Sequence, residues 1–201
     1  MGRSHTGLSR SKVDNVNLGR ATIWEDATNE GNSFNFYSRK TPGQRFIAEG
    51  ADLRPGGAMV LVVPARDGAF DHRRPITTMS HLVEDFETSR GKDDLTDLEE
   101  VLQLHDLSRD SGITDAGEFR ERAEQNAEFR SLHHHVFDTR LALDTALHAG
   151  FEAVAIEPLQ PYHIVVLARN LLPVIAARVF DEDVLREVLR NSPFPTNRRG
   201  S

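Results

Sequence analysis

The chain contains no cysteine. That excludes a disulfide framework, thiolate zinc sites, iron–sulfur ligation and a cysteine nucleophile, and fits a reducing, cytoplasmic setting. Long apolar runs are missing too: the longest, Ala58 to Val63, is far short of the ~20 residues a bilayer span needs, so no membrane association is expected. No apolar stretch follows the basic start Met1-Gly2-Arg3-Ser4-His5, so it does not read as a secretory signal. Gly-x-Gly occurs nowhere, which removes the usual glycine-rich turn that wraps a nucleotide at a helix N-terminus. No internal repeat is visible.

What is present suits one soluble domain with a substantial core: 201 residues, 38% hydrophobic, 27% charged, with a formal net charge of −7. The charge is uneven. Residues 81–130 hold 15 of the 31 acids against 6 bases, a local balance of −9 that leaves the remainder near neutral. A stretch this acidic repels a phosphate backbone, so nucleic acid is not an expected partner. Both ends are mildly basic (Arg3, Arg10, Lys12, Arg20; Arg190, Arg198, Arg199) and read as loose solvated tails.

Residues 1–12 are polar and predict disorder. Turn chemistry at Asn29–Ser33 and Thr41–Gly43 separates short segments of weak pattern. Behind the turn Arg54-Pro55-Gly56-Gly57, the run Ala58–Val63 is apolar on both faces and predicts a central strand of a sheet covered on both sides. Thr77 or Thr78 caps a predicted helix to about Phe86. Thr96-x-x-Glu99 has capping-box spacing ahead of Leu98, Val101, Leu102 and Leu104. Residues 115–131 predict an acidic helix with sparse apolar residues (Phe119, Ala123, Phe129). A further helix, capped by Asp138 or Thr139, runs through Leu147 to a stop at Gly150. Phe151–Glu157 and Tyr162–Ala168, joined by Pro158–Pro161, predict a terminal hairpin, and Asp183–Arg190 a last amphipathic helix. The expected organisation is a single domain over residues 13–169, with a helical insertion at about 65–137, and a C-terminal helix and tail at 170–201.

Leu53-Arg54-Pro55-Gly56-Gly57 before a core strand, and Ala149-Gly150-Phe151 before a terminal strand hairpin, resemble the C-terminal half of class I S-adenosylmethionine-dependent methyltransferases. More narrowly, the ordered set is similar to bacterial methyltransferase-domain proteins. That set comprises Pro64, Phe70-Asp71-His72-Arg73-Arg74-Pro75-Ile76-Thr77, His81-Leu82-Val83-Glu84-Asp85, Leu104-His105-Asp106-Leu107-Ser108 and His133-His134-His135-Val136-Phe137. The match spans roughly residues 53–169. It implies an α/β, Rossmann-like sheet abbreviated in its cofactor half, because the glycine loop and fourth-strand segment find no counterpart in residues 13–53. Val13–Val16 would be its second strand and Phe46–Ala48 its third. The resemblance implies S-adenosylmethionine as cofactor, with Asp14 accepting bonds from the ribose hydroxyls and Asp52 near the adenine amino group. As ordinary loop acids, both would simply favour turns.

Methyl transfer needs an in-line approach and, for a hydroxyl or amine acceptor, a base. Histidines are the natural candidates. His81, His133 and His135 are the candidate bases, each otherwise a surface or satisfied core side chain. Asp71, His72, Arg73 and Arg74 form a charged loop suited to an anionic acceptor or to an ion-pair turn. His133-His134-His135 cannot ligate one ion alone, since only alternate residues of a strand converge. A metal would need Asp71, His72, His81, His105 or Asp106 brought near, and none is assigned from spacing. The acidic helix reads as a solvated face or as a lid over the acceptor. The expected activity is methyl transfer to an oxygen or nitrogen of a small-molecule or sugar-like acceptor. The alternatives are a non-catalytic remnant that binds or homo-oligomerises through exposed sheet edges, and a histidine/carboxylate metalloprotein.

Overall fold

The computed structural model describes residues 58–88, 90, 93–110, 112–113, 115–129, 132–170 and 180–199. Asp14, Asp52, the strands expected at 13–16 and 46–48, and the Arg54–Gly57 turn lie outside the described residues. In chain order the elements are β1 (Ala58–Pro64), α1 (Met79–Glu87), α2 (Leu98–Leu104), α3 (Ala116–Glu124), α4 (Asn126–Phe129), α5 (Thr139–His148), β2 (Phe151–Leu159), β3 (His163–Asn170), α6 (Glu182–Asn191) and α7 (Pro195–Arg199).

The strands form one sheet of order β1-β3-β2, antiparallel throughout. The mixed α/β class is as expected. β1 pairs antiparallel with β3 along one edge, and among the described residues no strand lies on its other edge; the other strands expected in this sheet fall outside the described residues. Among the described residues, a parallel bridge runs from Ala65, just past the end of β1, to Phe137. The two faces of β1 are unequally buried, with Met59, Leu61 and Val63 buried and Val60 and Val62 half-buried. The hairpin matches expectation, but the even alternation read into Phe151–Glu157 does not hold. The register shifts between Ala153 and Ala155, and Val154 is turned out to 47% exposure at the resulting bulge. Pro158 is tolerated because β2 is an edge strand.

One core joins the sheet to α5, with α1 and α6 closing it. It contains Met59, Leu61, Val63, Leu82, Phe137, Ala142, Leu143, Ala146, Ile164, Val166 and Leu185. α5 starts where Asp138 accepts a bond from the Leu141 N–H at 2.7 Å, and the chain leaves it through Gly150 at φ +79°, a left-handed conformation suited to glycine. The expected loose tail is instead docked. Phe194 is buried, and the Asn197 amide donates to Thr139 Oγ1 at 2.6 Å and Ser192 Oγ at 2.7 Å.

A second, smaller core of Val101, Ile113, Phe119, Ala123 and Leu132 lies between α2 and α3. The expected helix over 115–131 breaks at Gln125 into α3 and α4, leaving Phe129 exposed. The capping box at Thr96 does not form. Its hydroxyl donates to Asp94 and receives Arg90, and α2 begins one residue later, after Asp97.

Candidate functional site

β1 ends at Pro64, and the chain beyond it gathers the separated histidine-bearing segments. The Arg66 N–H donates to Phe137 O at 2.8 Å. Thr77 and Val136 exchange two bonds: Thr77 N to Val136 O at 3.0 Å, and Val136 N to Thr77 Oγ1 at 2.9 Å. The Asp106 N–H reaches Phe70 O at 3.0 Å. Segments 65–77, 104–110 and 133–137 therefore converge at the C-terminal end of β1, where open α/β sheets carry their sites.

The deepest pair is Asp71 with His133, both buried, joined by a short hydrogen bond between Asp71 Oδ2 and His133 Nδ1. Burial opposes ionisation of Asp71. The His133 ring and the Arg74 guanidinium outweigh it and hold the carboxyl below its usual range. A carboxylate on Nδ1 selects the Nδ1–H tautomer and leaves the Nε2 lone pair open. His133 Nε2 is buried and has no hydrogen-bond partner among the described residues. The Phe70 ring stacks on His133 with centroids 4.4 Å apart, fixing the imidazole plane.

Arg74, expected to meet an acceptor, is committed internally. It is buried, donating Nη1 to His133 O at 2.5 Å and Nε to Glu100 at 2.9 Å, with Asp71 Oδ1 at 3.5 Å. It therefore positions the dyad rather than facing outward. His72 Nε2 and Arg73 Nη2 both lie on Asp106 Oδ2, at 2.8 and 3.2 Å, and Arg73 is half exposed. The Ser108 hydroxyl first, then His72, keep Asp106 ionised well below the usual carboxylate range. Of the charged loop, Arg73 alone stands largely outward.

His105 is buried between Phe70 and Phe119, with ring centroids at 4.4 and 4.0 Å. Its Nε2 meets Asp110 at 3.0 Å, and Asp110 also takes Arg122 at 2.7 Å. His134 is turned away from His133. Asn126 accepts from the Leu132 N–H through Oδ1, which fixes its amide to donate Nδ2 to His134 Nε2 at 3.1 Å. Burial, then neighbouring His135, push the His134 pKa down to about 4.

The other two candidate bases form a separate cluster. His81 stands one helical turn before Asp85 on α1, and both His81 Nε2 (3.1 Å) and His135 Nε2 (2.9 Å) meet Asp85 Oδ2. Arg90 Nε holds the other carboxylate oxygen at 3.2 Å, and Asp97 lies 4.0 Å from His81 Nε2. Burial opposes ionisation of Asp85, but the His135 bond, His81 and Arg90 together bring its carboxyl below the usual range. His133 and His135 each go to their own carboxylate, Asp71 and Asp85.

Sequence reasoning named these histidines but missed Asp85 and Asp110 as their partners, and Glu100 as the partner of Arg74. For Asp85 the signal was present, since His81 and Asp85 are four apart on a predicted helix. A cavity of about 370 Å³ lies elsewhere, between β2 and α6, lined by Glu152, Val154, Ile156, Phe180, Val184 and Val188. No helix among the described residues is long and apolar enough to cross a membrane. Comparison of the chain with models of protein families, with curated proteins and with solved structures finds no match in any of the three.

Proposed function

We propose that the chain is a methyltransferase-family protein with a Rossmann-like sheet, and that the residues gathered beyond β1 form its acceptor side. There a hydroxyl or amine of a small, sugar-like molecule would take a methyl group. The observation that carries this reading is the convergence of the separated motif segments on one strand end, with a histidine oriented by a buried carboxylate at its centre. β1 lying beside a terminal hairpin introduced by Ala149-Gly150-Phe151 agrees with it.

The acids implied for the cofactor, Asp14 and Asp52, lie outside the described residues, so the fit is judged on the acceptor side. His133 Nε2 is a buried acceptor without a partner among the described residues, an arrangement that costs free energy and points to an incoming donor. S-Adenosylmethionine, when bound, supplies an electrophilic methyl group. His133 accepts the proton from the acceptor O–H or N–H at Nε2. Asp71 holds the imidazole in the required tautomer and stabilises the imidazolium that forms, while Arg74 and Phe70 keep the pair from rotating.

The test is a methyl-transfer assay of the full chain over a panel of sugar, phenol and amine acceptors, reading S-adenosylhomocysteine release. His133→Gln is expected to lower acceptor-dependent turnover by roughly 100-fold or more, as for removal of a general base, with cofactor binding retained. Equal turnover in wild type and His133→Gln would overturn the base assignment.

A further inference from the structure

We propose that His81, Asp85 and His135 form a binding site for a divalent first-row transition-metal ion. This inference stands on its own geometry and not on the methyl-transfer reading.

Two imidazole Nε2 atoms converge on one carboxylate oxygen at 3.1 and 2.9 Å, and the three ligand atoms lie within 4.8 Å of one another. Metal–nitrogen and metal–oxygen bonds of about 2.0–2.1 Å place neighbouring ligand atoms about 3 Å apart, so the Nε2–Oδ2 separations already suit ligands sharing an ion. The two rings meet edge to face with centroids 5.9 Å apart, so they approach Asp85 from different directions. His135 is held in the buried wall of the site, and His81 stands at its half-exposed rim.

Charge favours a cation. Asp97 lies 4.0 Å from His81 Nε2, and Arg90 occupies Asp85 Oδ1 and Asp94, which leaves Asp85 Oδ2 turned toward the histidines. Arg90 orients the carboxylate as an outer partner orients a ligand. Asp97, 4.0 Å from His81 Nε2, is within a rotamer change of a fourth position. Two histidines and one carboxylate suit iron(II), cobalt(II), nickel(II) or zinc(II), and leave coordination positions open toward solvent for an exogenous oxygen or nitrogen donor. The Asp71–His133 pair is a different place, since His133 spends Nδ1 on Asp71 and no third ligand joins it in a metal-competent cluster among the described residues.

The experiment is titration of the metal-free full chain with cobalt(II), read by its visible absorption, with thermal melting in zinc(II) alongside. One equivalent is expected to bind saturably, and zinc is expected to raise the melting temperature. His81→Gln, at the half-exposed position, is expected to keep the metal-free melting temperature yet weaken cobalt binding roughly 10- to 100-fold and abolish the zinc shift. His135→Asn is expected to do the same, and is interpreted only if it folds. Absence of saturable cobalt binding by the folded chain, or binding unchanged in His81→Gln, would overturn the site.

Discussion

At the scale of single residues, the neighbours of a side chain decide what it can do. Arg74 and Arg73 are adjacent and chemically alike, yet Arg74 is buried under His133 and Glu100 while Arg73 stands half exposed on Asp106. Nothing in the local sequence separates them; the path of residues 133–135 over Arg74 does. His133 and His135 were likewise readable as site residues. Their separate carboxylates were not, because Asp71 and Asp85 precede them by 62 and 50 positions. Gly68 is a residue whose requirement is purely steric. A Cβ there would lie 2.2 Å from Pro161 O and 2.6 Å from Tyr162 Cβ, where the Ala65 N–H already donates to Tyr162 O. Gly68→Ala is expected to cost about 2 kcal/mol or more, since the obstructing atom is backbone. A denaturant midpoint equal to wild type would contradict it.

At the scale of elements, periodicity and caps were legible where local chemistry decides. Thr78 caps α1 by accepting from the His81 N–H at 3.2 Å, Asp138 caps α5, and the hairpin falls in the expected region, though with a bulge in β2 and with Pro158 inside the strand rather than in the turn. Local chemistry misled where a distant partner won. Thr96 gave its hydroxyl to Asp94 instead of a helix N–H, and α3 stopped at Gln125 so that Asn126 could be buried against Leu132 and His134. The tail was missed for the same reason. Its apolar anchor is the single Phe194, and its hold on the domain is polar, through Asn197 to Thr139 and Ser192. Asn197→Ala removes the bonds to two buried hydroxyls and is expected to cost about 1–3 kcal/mol. It should also expose the 192–199 segment to limited proteolysis. Unchanged stability and unchanged cleavage would show that Phe194 and the bonds of Thr196 to Asp67 hold the tail without Asn197.

At the scale of the whole molecule, buried carboxylates set the acid limit. Asp71, Asp106 and Asp110 all have carboxyls lowered from the ordinary value of 3.8. Burial opposes ionisation at Asp71 and Asp110, where histidine and arginine partners outweigh it, while hydrogen bonds lead at Asp106. A lowered carboxyl contributes stability that is complete above the unfolded-state value and is lost as pH falls through the folded-state value. Asp138, raised by burial, works in the opposite direction and is alone against the three. Stability to denaturant is therefore expected to hold at neutral pH and to decline as pH falls from about 6.5 to about 4, where His134 takes a proton in the unfolded but not the folded chain. A further fall is expected below about pH 4 as the carboxylates protonate. Asp71→Asn should make that fall shallower, and a wild-type slope in the variant would remove Asp71 from the account. The α/β class and the histidine-bearing strand end were legible from the sequence. The antiparallel setting of β1 was not, because a run apolar on both faces reads alike beside a parallel or an antiparallel neighbour, and here the neighbour is the last strand of the domain.

The central claim is that this chain works with S-adenosylmethionine, and calorimetric titration of the full chain with S-adenosylhomocysteine tests it most directly. The account predicts saturable one-to-one binding, weakened roughly 10-fold or more by Asp14→Asn or Asp52→Asn, the loss of one charged hydrogen bond in each case. A folded chain that takes up no heat from the ligand, or one whose affinity ignores both substitutions, would contradict it.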